Sequence, residues 1–136
     1  MFAIPMPGAL WRIYLVRLLI RQDPAGTSLL FQRGSEVLET IDTVVAGAPM
    51  PTGPDEITEL ADEILRGVFV GDFSIALDRA AAFCRVCAAG ATSIADDADF
   101  VSDERAAELT ARADRFATTA DEFAACARLQ RSSGLD

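Results

Sequence analysis

The sequence predicts an all-α fold: a compact antiparallel bundle of about five helices, formed as one domain over residues 1–136. Three observations carry this expectation. Apolar residues recur in alternating four- and three-residue steps through five segments, which is the period of a helix face. The breakers "QDPAG" (22–26), "GAPMPTGP" (47–54) and "DDADFVS" (96–102) punctuate them. The strict apolar-polar alternation of strands is almost absent.

The first helix runs from about Pro7 to Gln22. Plotted at 100° per residue, Trp11, Tyr14, Leu15, Leu18 and Leu19 make a broad apolar face, and Ile13, Val16 and Ile20 a narrower one. The broad face is expected against the core, which would bury Trp11. That leaves Ile13, Val16 and Ile20, flanked by Arg12 and Arg17, for a second copy of the chain in a homodimer. In the alternative, the bundle encloses helix one from both sides and the protein is a monomer.

Asp23 caps the second helix, with Pro24 in its first turn. The stripe Leu30, Gly34, Val37, Ile41 and Val44 takes it to about Ala46. Gly34 has two readings, a site where another backbone comes close or a tolerated weak spot. The proline-rich stretch 47–54 reads as the longest connection of the bundle. A third helix begins at Pro54, with Asp55 and Glu56 where the helix dipole favours acids. Ile57, Ala61, Ile64 and Val68 mark its buried side, Gly71 ends it, and Asp72 caps the next.

The fourth helix, about 73–95, carries Phe73, Leu77, Ala80, Cys84, Cys87, Ala91 and Ile94 in four-three steps. The fifth, about 103–131 with Ser102 as cap, places Ala106, Ala113, Ala120 and Ala127 seven apart. Leu109, Phe116 and Phe123 stand between them. Small residues at one position and bulky ones at the other allow close helix approach, so these two helices are expected to form a tight antiparallel hairpin.

Composition narrows the chemistry. The chain has no histidine, and all 12 of its basic residues are arginine. This removes Ser-His and Cys-His dyads, mixed Cys/His zinc sites, Walker A loops and Schiff-base lysines. Apolar residues form 51% of the chain, enough for a real core. The net charge of −9 argues against a general nucleic-acid binder. Residues 1–33 carry +3 and the remainder −12, so the basic first segment is expected beside acidic neighbours within its own fold. An acidic partner or a membrane surface is the alternative use of that charge, with the membrane disfavoured. Arginines interrupt the apolar stretch of helix one, which is too short to span a bilayer and does not resemble a signal peptide. Three cysteines make no disulfide framework, and a reducing cytoplasm is the expected compartment.

Cys84 and Cys87 lie about three turns into their helix, away from the N-terminus that activates a redox CxxC pair. They read as core, where a free cysteine behaves as a small hydrophobe. The alternative is a copper(I) or zinc site of Cys84, Cys87 and Cys126. Asp97, Asp99 and Glu108 fit positions one, three and twelve of a calcium loop. Val101 and Ser102 fill its fifth and sixth positions, where the motif needs an oxygen ligand and a turn glycine, so no calcium site is expected.

The acids Glu56, Glu59, Asp62 and Glu63, together with Asp42, form a face suited to a basic protein partner, or one that simply keeps the chain soluble. The functional expectation is a small acidic, non-catalytic protein-binding module without cofactor: an adaptor, a toxin-neutralising protein or a regulatory subunit. A thiolate metal binder and a self-assembling or membrane-associated structural protein are the alternatives.

Overall fold

The computed structural model describes residues 7–37, 51–97 and 101–132. Among these are five α-helices and no strand: α1 (Pro7–Gln22), α2 (Pro24–Val37), α3 (Pro54–Leu65), α4 (Phe73–Ala95) and α5 (Asp103–Ser132). The expected stretch of the second helix beyond Val37, with Ile41 and Val44, lies outside the described residues, as does Asp42.

α4 packs more extensively against α5 than any other pair of elements does. The cause is the seven-residue spacing of small and bulky residues. Ala113, Ala120 and Ala127 are buried with Leu109, Phe116 and Phe123 on α5. On α4 Leu77, Ala80, Cys84, Cys87 and Ala91 are buried as well. Fully burying each phenylalanine contributes roughly 1.5–3 kcal/mol, so this hairpin supplies much of the apolar stabilisation.

α2 crosses α4 at two glycines. A Cβ on Gly34 would stand 1.9 Å from the Val86 carbonyl oxygen, and one on Gly90 would stand 1.9 Å from that of Leu30. Gly34 is therefore a point of backbone contact and not a weak spot. Its counterpart Gly90 was not evident from sequence. Phe31 and Phe83 stack beside the crossing at 5.4 Å between ring centroids.

The helix starts follow their capping chemistry. Asp23 Oδ1 accepts the Gly26 N–H, Ser102 Oγ accepts that of Arg105, and Asp72 accepts those of Ser74 and Ile75. α3 ends earlier than expected, at Leu65 and not near Gly71. Gly67 takes a φ of 74°. Its N–H donates to the Ile64 carbonyl while the Val68 N–H reaches that of Glu63, the paired bonds of a Schellman stop. With the helix over, Val68 is exposed, whereas Ile57, Ala61 and Ile64 are buried as expected.

α1 lies against α3 and α5. Its orientation reverses the sequence expectation. Ala9, Ile13, Val16 and Ile20 are in the core, while Trp11, Tyr14 and Leu18 are exposed. The flanking arginines account for this. Arg12 pairs with Glu122 of α5 at 2.6 Å, and Arg17 Nε lies 2.5 Å from Asp62 of α3. With one arginine drawn to each neighbour, the stripe between them must face inward. Arg112 meets Asp23 at 3.0 Å, so α1 and α5 run antiparallel.

Candidate functional site

Three groups of residues stood out in the sequence, and the fold treats them differently. Cys84, Cys87 and Cys126 are all buried free thiols. Desolvation pushes the Cys84 thiol far above its ordinary range. It does the same to Cys87, with the neighbouring Cys84 adding to it. Cys84 and Cys87 pack as desolvated core groups, a setting that does not activate a thiol as a nucleophile. Among the described residues no three cysteines or carboxylates converge to hold a metal ion, so the copper or zinc alternative is not supported by the geometry. Asp99 of the calcium pattern lies outside the described residues.

The acidic group is divided. Glu56 is bound to Arg79 of α4, and Asp62 to Arg17 of α1. Of the four, Glu59 and Glu63 are exposed with no ion pair among the described residues. The four-carboxylate docking face is thereby corrected to two, because half of its charge neutralises the chain's own arginines. Such partly exposed pairs contribute about 0–1 kcal/mol each. Their main effect is to set helix orientation.

The third group is α1. Ile13, Val16 and Ile20, expected to face a second chain, are covered by this chain's own α3 and α5. What α1 presents outward is the other face. Trp11 is 60% exposed, Tyr14 and Leu18 about two-fifths, and Leu15 is half-buried. Trp11 and Tyr14 stack at 5.8 Å between ring centroids. Spacings of three and four place all four side chains on one stripe. Arg12 and Arg17, tied to their carboxylates, bound that stripe on either side, and exposed Arg21 stands one turn beyond Leu18. Helical periodicity reveals this stripe as the broad apolar face but not that it points outward.

The remaining features are weaker. A cavity of about 140 Å³ between α1 and α5 is lined by Leu19, Gln22, Asp23, Arg112, Arg115 and Phe116, and its one carboxylate is already bonded to Arg112. The Asp23 carboxyl is held below its usual range, first by the Gly26 N–H and then by Arg112, against some desolvation. A groove of about 320 Å³ between α2 and the end of α4 is mostly apolar, with Leu29, Ile94 and Val101 in its wall. Neither brings together the acid, base and nucleophile that an enzyme site needs. Asp78, 3% exposed and bound to Arg131, is a buried charge that sequence reasoning missed; its setting among alanines of α4 concealed it. No helix among the described residues is long and apolar enough to cross a membrane. No family model matches the chain, and no curated protein or solved structure matches it.

Proposed function

We propose that this chain is a small, non-catalytic protein-interaction module whose docking surface is the outward stripe of α1: Trp11, Tyr14, Leu15 and Leu18. The observation that carries the reading is the tryptophan-tyrosine pair, stacked on a helix face with the core on its opposite side. Large aromatic side chains left in water at helical spacing supply the anchors that dominate protein interfaces. A contiguous apolar patch left exposed and rimmed by polar groups often marks an interaction site. The rim supports the same reading. Each flanking arginine is paired within the fold, so the stripe is apolar at its centre and polar at its edges, as interfaces commonly are. Glu59 and Glu63 on the adjacent α3 add a place for basic residues of a partner, in keeping with the acidic balance of the chain.

The test is site-specific photocrosslinking. A benzophenone amino acid placed at position 11 should capture a defined protein when the chain is expressed in its native host. Leu18→Glu in the same chain should abolish that capture, while Glu59→Gln with Glu63→Gln should weaken it less. If capture from position 11 is no stronger than from exposed Thr110 on α5, and Leu18→Glu changes nothing, the stripe is not a docking surface.

A further inference from the structure

Resting on that reading, we infer that the occupant of the α1 stripe is a second copy of this chain, paired antiparallel about a two-fold axis near Tyr14. The argument begins with the ends of the stripe. Its first turn carries Trp11, and one turn past Leu18 stands Arg21, an exposed arginine with no carboxylate partner among the described residues. One end therefore offers an aromatic face and the other an unneutralised cation, which makes the surface complementary to itself when reversed. In an antiparallel pairing centred between positions 14 and 15, Trp11 lies over the partner's Leu18 and within a turn of the partner's Arg21. A guanidinium there meets an indole ring. The two Tyr14 rings come together beside the axis. A parallel pairing would set Arg21 against the partner's Arg21 and align the two helix dipoles, so it is the poorer solution.

The area sets the strength. Trp11, Tyr14 and Leu18 together leave on the order of 300 Å² of apolar surface in water. A stable interface buries about 800 Å² per partner. With Leu15, Arg21 and Gln22 added, a single-helix contact still falls short of that, so the dimer is reversible and dissociates in the micromolar range, at roughly 10–100 μM. The charge distribution is consistent with weak pairing: at −9 per chain, two copies repel each other over the rest of their surfaces.

Sedimentation velocity on the full chain, from about 1 μM to about 1 mM, should show a monomer passing into a dimer with concentration. Leu18→Glu and Trp11→Ala should each raise the dissociation constant about tenfold or more, with circular dichroism confirming that the fold is retained. Cysteine crosslinking then reads the register, the native thiols being buried. Tyr14→Cys should form a disulfide-linked dimer under mild oxidation. Trp11→Cys alone should not, but a mixture of Trp11→Cys and Leu18→Cys chains should. A concentration-independent monomer, a dimer untouched by both α1 variants, or crosslinking of Trp11→Cys with itself would each overturn the inference. A monomer that still loses its captured partner with Leu18→Glu would overturn self-pairing while leaving the docking surface intact. Binding of neutral phosphatidylcholine vesicles by a chain that stays monomeric would assign the stripe to lipid instead, and also overturns the inference.

Discussion

Gly34→Ala tests the packing of the bundle at its tightest point. On an ordinary helix this change is stabilising by about 1 kcal/mol, since alanine is the better helix former. Here the new methyl carbon would stand 1.9 Å from the Val86 carbonyl oxygen. The obstacle is backbone and cannot swing aside, so α2 and α4 must separate by about 1.5 Å to restore ordinary contact. A gap of 0.5–1 Å already forfeits a quarter to a half of each dispersion well along a contact line. That line includes the Phe31–Phe83 stack and Leu30. Overpacking a well-filled core costs typically 1–3 kcal/mol, and the backbone obstacle places this site at the upper end. Net of the propensity gain, the expected loss is about 2 kcal/mol. For a domain of this size it lowers Tm by roughly 6–10 °C. Urea unfolding followed by circular dichroism measures it, with Gly90→Ala expected to behave alike and Gly53→Ala, which meets nothing, as control. A Gly34→Ala chain as stable as the parent, or more so, would refute the close-crossing account.

Three further predictions concern buried and capping groups. Arg131→Ala leaves the Asp78 carboxylate buried without its cation and should cost about 1–2 kcal/mol, the partial exposure of Arg131 keeping the loss below that of a fully buried pair; thermal unfolding reads it. Because burial raises the Cys84 and Cys87 pKa values, the unfolded chain releases thiol protons above about pH 9 while the folded chain keeps them. Stability should therefore fall as pH rises past that point, by about 1.4 kcal/mol per pH unit for each thiol, and the slope should shrink in a Cys84→Ala, Cys87→Ala chain. Asp23→Ala removes the cap of α2 and should cost about 1 kcal/mol at neutral pH. Its contribution is present above about pH 4 and disappears as pH drops through the lowered folded pKa, so the parent and variant should converge in acid.

How legible the molecule was in its sequence depended on how one-sided each helix is. α5 carries one dominant inward pattern in its alanine and phenylalanine repeats, and α4 is buried nearly all round, so its seam faces the core whichever neighbours surround it. α1 is apolar on both faces, so periodicity establishes two stripes without saying which faces in. Bulk suggested the wrong one. The discriminating signal was Arg12 and Arg17: they bracket Ile13, Val16 and Ile20, and in an acid-rich chain their carboxylate partners lie on neighbouring helices. Read as the rim of an intermolecular interface, they are in fact the anchors that turn that face into the core. The acidic face of α3 shrank for the same reason, since Glu56 and Asp62 serve long-range partners that sequence spacing does not reveal. Gly90 was hidden because a glycine among alanines looks like one more small residue until another backbone is placed against it.

The central claim, that the aromatic stripe of α1 faces outward and is available to a partner, is tested most directly by the emission of the single tryptophan. In a dilute, folded sample Trp11 should emit at long wavelength and be readily quenched by acrylamide, as its 60% exposure requires. Emission should shift to the blue and quenching should fall as protein concentration rises into the range where the dimer forms. A blue-shifted, protected tryptophan at the lowest concentration would contradict the account, because the stripe would then be covered by its own chain.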